Sequence, residues 1–123
     1  MTELGKLKAT HPGGLAELTG YIETVEMRYV VRIIGDETLY DGRKPSHRIY
    51  SRTRSGTEVE IGQAWLKKAK RGPTPGRYFF SITIDHPGVS RPLNVSAFYD
   101  AEADEWRVVW RRRGPHSEAQ DAA

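Results

Sequence analysis

Apolar and polar residues alternate along most of this chain with a period near two, the spacing that sends successive side chains to opposite faces of a β-strand. In the clearest run Val25, Met27, Tyr29, Val31 and Ile33 interleave with Glu26, Arg28, Val30, Arg32 and Ile34, giving one apolar face and one mostly charged face. Tyr78, Phe80, Ile82 and Ile84 alternate with Phe79, Ser81, Thr83 and Asp85. Leu93, Val95, Ala97 and Tyr99 alternate with Asn94, Ser96 and Phe98, and after the turn DAEADE the residues Trp106, Val108 and Trp110 alternate with Arg107, Val109 and Arg111. Two shorter stretches, Leu4 to Thr10 and Leu15 to Ile22, flank His11-Pro12-Gly13-Gly14 and read as a hairpin. Another hairpin joins His47–Thr53 to Thr57–Ile61 through Arg54-Ser55-Gly56, with Arg48, Tyr50 and Arg52 on one face. Residues 58–70 fit two patterns: Ile61, Ala64 and Trp65 suit a helical stripe, whereas Val59 and Ile61 with the turn that follows favour a continuing strand, the preferred reading.

Breakers divide these segments. Residues 35–46 are dense in Gly, Asp, Lys and Pro and predict a long, mobile loop that folds over a face of the sheet. Residues 71–76 (RGPTPG) hold two prolines and two glycines, which no helix or central strand crosses. Residues 114–123 are small and polar and predict a disordered tail. The expected architecture is therefore all-β: one domain over residues 1–113, an antiparallel meander of seven or eight strands forming a small barrel or a sandwich.

Composition narrows the chemistry. With 123 residues, 37% hydrophobic and 28% charged, the chain is one globular domain's worth. Having no cysteine, it forms no disulfide, thiolate zinc site or cysteine nucleophile. The start MTELGKLKAT has no apolar core of a signal segment and no apolar run is of bilayer length, so the expected setting is cytoplasmic, with no membrane partner. The net charge of +3 conceals an asymmetry: residues 1–42 carry seven acidic side chains against four basic, while residues 43–113 carry fifteen Lys and Arg against seven Asp and Glu. A basic lobe on a small β scaffold points to a polyanion.

Within that lobe Lys67, Lys68, Lys70, Arg71 and Arg77 bracket one turn, with Trp65 before it and Tyr78 and Phe79 after it. Cations that track phosphates and rings that stack on bases are the two parts of a single-strand binding surface. Phe79 is the sharper clue, because it falls out of register with the Tyr78, Phe80 and Ile82 face and is expected to be an exposed ring. The competing reading makes Trp65, Tyr78 and Phe80 core and the lysines a solvated hairpin tip. A second basic group comprises Arg48, Arg52 and Arg54 with Arg107, Arg111, Arg112 and Arg113, suited either to gripping phosphate or to protecting strand edges. Enzymatic signals are weaker. His11, His47, His86 and His116 read as turn or tail residues without metal-ligand spacing, Asp85-His86 reads as a turn former before an acid/base pair, and nucleophile-elbow and phosphate-loop glycines are missing. No metal, cofactor or catalytic residue is indicated.

The segments VEIGQAWLKKAKRG, RYFFSITIDHPG, PLNVSAF and EWRVVWRRR resemble a domain-of-unknown-function family of small bacterial proteins often carried on conjugative plasmids and integrative elements. The likeness covers about residues 1–113 and is most specific at Gly62-x-Ala64-Trp65 with Lys67 and Lys68, followed by a Gly-containing turn and the aromatic strand ending in Asp85-His86-Pro87. The chain departs from the family pattern in its tail after Arg113 and its longer Pro-rich turn at 71–76. The resemblance implies a bacterial cytoplasm hosting mobile DNA and supplies no catalytic residues. The combined expectation is a non-enzymatic mobile-element accessory protein that binds nucleic acid, single-stranded in preference to duplex, through Arg48, Arg52, Lys67, Lys68, Lys70, Arg71, Arg77 and Phe79. The alternative is an adaptor or inhibitor that offers a sheet edge or the 35–46 loop to an acidic protein.

Overall fold

The computed structural model describes residues 2–11, 14–36, 38–39, 43–69, 77–89 and 91–110. Eight strands follow one another around a closed antiparallel barrel: β1 (Thr2–Ala9), β2 (Glu17–Glu23), β3 (Arg28–Gly35), β4 (His47–Arg52), β5 (Glu58–Lys68), β6 (Tyr78–Ile84), β7 (Leu93–Asp100) and β8 (Glu105–Trp110). Each strand pairs with the next, and β8 returns to β1 through Leu7↔Trp106 and Lys6↔Arg107, so the sheet has no open edge strand. Of the barrel and the sandwich left open by the sequence, the barrel is the one formed. The proposed tail, residues 114–123, lies outside the described residues.

Alternation decides what fills the barrel. Leu7, Leu18, Ile22, Val31, Ile33, Ile49, Leu66, Phe80, Ile82, Ile84, Val95, Trp106 and Val108 turn inward and are buried, forming one apolar core. Two register shifts adjust the wall: Leu4 is the extra residue on β1 between Glu3 and Gly5, and Ile61 the extra residue on β5 opposite Ile49 and Tyr50. Two glycines set how closely β1 and β2 approach. A Cβ on Gly20 would collide with the Lys6 carbonyl oxygen, and one on Gly5 with that of Tyr21.

Two sequence readings change here and one ambiguity is resolved. The strand read from Val25 begins only at Arg28: Thr24 N–H donates to the Met27 carbonyl at 2.7 Å and the Thr24 hydroxyl accepts from the Glu26 and Met27 amides, so Val25 and Met27 lie exposed in a tight turn. Over residues 58–68 the strand reading holds, because Gly62–Lys68 pair in register with Tyr78–Ile84. His47 is no turn residue. It opens β4 and is 1% exposed, with its ring edge-on to Phe80 at 4.9 Å. Its Nε2–H donates to the Leu15 carbonyl at 2.6 Å, which leaves Nδ1 to accept from the Ser46 hydroxyl at 2.8 Å. Ser46 Oγ in turn accepts from Leu66 N–H at 2.8 Å. A buried polar relay thus ties the β1–β2 connection to β4 and β5, while Asp36 N–H donates to the Ser46 carbonyl and closes the base of the 36–46 connection.

The meander sorts the connections between the barrel's two ends. The β1–β2, β3–β4, β5–β6 and β7–β8 connections share one end, called the upper end, and the β2–β3, β4–β5 and β6–β7 connections share the lower. At the lower end β4 and β5 outrun their neighbours: β3–β4 pairing stops at Arg32↔Tyr50 and β5–β6 pairing at Gly62↔Ile84, so residues 51–60 form a two-stranded overhang closed by Gly56 at φ 91°.

Candidate nucleic-acid interface

The outward residues of β5, β6, β7, β8 and β1 define a row around the barrel wall. Lys67 pairs with Phe79, Phe79 with Phe98, Phe98 with Arg107, and Arg107 with Lys6. Cross-strand partners lie about 5 Å apart, so the row presents a cation, two rings and two cations over roughly 20 Å.

Phe79 is not the exposed ring. It does face outward, as its register predicted, but it is 7% exposed, because the ring of Phe98 stacks on it at 5.6 Å and an interplanar angle of 21°. Phe98, on the neighbouring strand, is 41% exposed and takes the role assigned to Phe79. The same signal marked it in the sequence, since Phe98 falls out of register with Val95, Ala97 and Tyr99 as Phe79 does with its own face. Tyr78, core only in the competing reading, stands at the upper mouth and is exposed, with Lys68 Nζ 6.0 Å from its ring centroid. Trp65 lies half-buried on the outer wall and its Nε1–H donates to the Arg43 carbonyl at 3.4 Å.

The eight residues singled out by the sequence divide. Lys67 and Lys68 end β5 at the upper end, and Arg77 directly precedes β6 there, its carbonyl accepting from Ala69 N–H at 2.8 Å. Among the described residues neither Lys67 nor Arg77 enters an ion pair. Arg48 is level with Gln63 on the same wall, but its Nη1 donates to Glu60 Oε1 at 3.0 Å. Arg52 stands at the opposite end of β4, where Nη1 donates to the Gly56 carbonyl, and so does not join the others. Lys70 and Arg71 lie outside the described residues, as do the proposed turn at 71–76 and Arg111 to Arg113. The second arginine group does not form one surface either: Arg48 and Arg52 are on β4 and Arg107 is on β8, four strands away around an eight-stranded ring.

Arg107, which the sequence grouped elsewhere, belongs to the row. Its Nη2 donates to Asp100 Oδ2 at 2.7 Å and Nε lies 3.7 Å from Glu3 Oε1, while Lys6 Nζ is 3.5 Å from Glu105 Oε1. The cations of these pairs are about half exposed, so each pair contributes about 0–1 kcal/mol. On the opposite wall the Arg32 guanidinium likewise grips Glu58 at 2.7 Å and Glu17 at 3.3 Å. Those hydrogen bonds raise the Arg32 pKa and lower that of Glu58, tying β2, β3 and β5 together.

Both ring nitrogens of His86 are engaged by residues other than Asp85. Gly88 N–H donates to His86 Nδ1 at 3.0 Å, so the proton sits on Nε2 and is donated to the Tyr29 hydroxyl at 2.9 Å. The two rings also meet edge-on at 5.3 Å, and burial raises the Tyr29 pKa. His86 is a brace between β3 and the β6–β7 connection. Among the described residues no three His, Asp or Glu side chains converge as metal ligands.

Residues 3–113 match the family model described as "Protein of unknown function (DUF736)". No curated protein and no solved structure matches the chain.

Proposed function

Because the chain belongs to the DUF736 family, its function has to be argued from the barrel's own surface, and we propose that it is a non-enzymatic protein that binds single-stranded nucleic acid across the upper half of β5 to β8. One observation carries the reading: Lys67, Phe79, Phe98 and Arg107 fall in continuous register across four strands. A strand laid along this row meets phosphate-binding cations at either side of an exposed ring backed by a second ring. The wall is a convex sheet without a helix, so it offers bases a stacking platform rather than a reading head for the major groove. The resemblance of its motifs to proteins carried on conjugative plasmids and integrative elements supports a role as an accessory protein of mobile DNA.

The test is fluorescence anisotropy with labelled oligo(dT), oligo(rU) and a duplex of the same length across a salt series. Lys67, Lys68, Arg77 and Arg107 supply four phosphate contacts at about −0.7 each, so log K against log salt should fall with a slope near −3 for single strands. Single strands should bind more tightly than duplex. The absence of binding to any oligonucleotide at about 50 mM salt, where electrostatic association is strong, would refute the reading.

A second reading rests on the β4–β5 overhang, whose strand edges at Glu58–Glu60 have no β6 partner. Such an edge accepts an added strand from a protein. Selective loss of a captured protein when residues 53–57 are replaced by a two-residue Asn-Gly turn, with oligonucleotide binding intact, would favour it.

A further inference from the structure

At the upper mouth, next to the row but on the inward side of the wall, a cleft of about 240 Å³ opens between the β1–β2 connection and the β7–β8 hairpin. Ala9, Gly14 and Leu15 line one side, Tyr99 and Trp106 the other, and Asp104 stands with them. The Tyr99 and Trp106 rings are cross-strand partners with centroids 5.4 Å apart, tilted by 54°. The Tyr99 hydroxyl donates to Asp104 Oδ1 at 2.6 Å. This bond, with some desolvation, raises the Tyr99 pKa and keeps the phenol a donor.

Asp104 is the telling residue. Its φ of 51° is in the left-handed region, where a glycine would sit without strain and an asparagine with the same side-chain shape. Aspartate there adds a carboxylate to an aromatic-walled cleft. A carboxylate repels phosphate, so whatever enters presents N–H donors to it, and the bond from Tyr99 leaves most of its lone-pair sites open. The volume is below the roughly 300–1,000 Å³ of sites for drug-sized ligands, which admits one ring system and leaves a sugar and phosphate outside. Among the bases, guanine carries two adjacent donors on its Watson–Crick edge, N1–H and the 2-amino group, and these match the two oxygens of a carboxylate. Thymine and uracil flank their single imide donor with carbonyls that a carboxylate repels.

The surroundings supply the rest of a nucleotide's contacts. Lys68 pairs with Tyr78, one further step along the Phe79↔Phe98 register sets Tyr78 beside Tyr99, and Tyr99 pairs with Trp106. The mouth therefore runs cation, ring, ring, ring toward the cleft, with Tyr78 and Tyr99 both exposed. We propose that this cleft is a guanine-selective base subsite of the single-strand interface, an inference that rests on that interface for its phosphate contacts.

Two arms test the subsite and the interface separately. In the first, oligo(dT) is compared with the same oligonucleotide carrying one central dG, dI, dA or dC. The dG strand should bind about tenfold more tightly than oligo(dT), within the range of a bidentate base contact. Inosine, which lacks the 2-amino group, should lose most of that gain. Asp104→Asn, which keeps the turn and the Tyr99 bond, should bring dG to within about twofold of dT without weakening oligo(dT) binding. In the second arm, guanosine without phosphate is titrated while the Trp106 indole N–H is followed by NMR; it should shift in the wild-type protein and not in Asp104→Asn. Oligo(dT) binding without any dG preference or guanosine shift overturns the subsite and leaves the interface standing. A guanosine shift without oligo(dT) binding overturns the interface and keeps a guanine site. A Trp106 shift with a trimethyllysine peptide and none with guanosine overturns the proposal in favour of a protein ligand.

Discussion

Replacing Phe98 by alanine separates stacking from charge and from folding in one variant. The ring is 41% exposed and lies outside the barrel, so its loss leaves the inner core intact. What disappears is its stack on Phe79, an aromatic pair contributing about 0.5–1.5 kcal/mol. Folding should therefore weaken by about 1 kcal/mol and the thermal midpoint should fall by several degrees. Binding should suffer more. An exposed ring carrying one stacked base contributes about 1–3 kcal/mol, so affinity for oligo(dT) should drop by about fivefold to a hundredfold. Because no cation is removed, log K against log salt should keep its slope while the whole line moves down. The companion variant Phe79→Ala reverses the pattern: that ring is buried and its loss is chiefly a loss of stability, read in urea unfolding. Unchanged oligo(dT) affinity in Phe98→Ala at every salt concentration, with the fold intact by circular dichroism, would refute stacking on this wall.

Other perturbations address the remaining parts. Lys67→Gln with Lys68→Gln should flatten the salt slope by about 1.4, two single-strand phosphate contacts, with no change in thermal midpoint beyond a degree or two. Gly20→Ala should destabilise the protein by about 1–3 kcal/mol in urea unfolding, because the added Cβ collides with the Lys6 backbone oxygen and the strands must shift. The carboxyl of Glu58 has its pKa lowered, first by the hydrogen bond from Arg32, so its contribution to stability is complete above the ordinary glutamate value of 4.5 and is lost as pH falls through the lowered value. Glu58→Gln should accordingly flatten the acid limb of the thermal midpoint against pH below about 4.5, while at neutral pH it loses a mostly exposed pair.

Strand content was legible because it depends on a local signal. In β3, β6, β7 and β8 the inward residues carry large aliphatic or aromatic side chains, and the period of two survives any arrangement of neighbours. Where the reading failed, the deciding contact was a backbone one. Val25 and Met27 continue the apolar alternation, yet the Thr24 hydroxyl captures the Glu26 and Met27 amides and turns the chain before a strand can start. His47 has no apolar signature to mark it as buried, so it groups with the turn histidines even though a strand is read from it. Its burial is possible only because the adjacent Ser46, together with Leu15 and Leu66, which are remote in sequence, satisfies both ring nitrogens and the intervening hydroxyl. Barrel closure was likewise invisible, since it is a pairing between the first strand and the last.

The interface shows the same division at a finer scale. That Phe79 leaves the inward face was readable from alternation alone, and so was the same fact for Phe98. Which of the two is covered depends on register between β6 and β7, and that register sets Phe79 between Lys67 and Phe98, where a ring above it removes its exposure. The charges follow from the same cause. Several basic residues are engaged with carboxylates on the wall: Arg48 and Arg32 find Glu60 and Glu58 opposite or nearby, and Arg107 finds Asp100 and Glu3, whereas Lys67 finds a phenylalanine. Total charge in a segment thus overstates its binding surface, and the pairing register supplies the correction. It moves the centre of the proposed interface from the turn after β5 to the upper end of the β6–β7 pair, and it brings in Arg107 from the far end of the sequence.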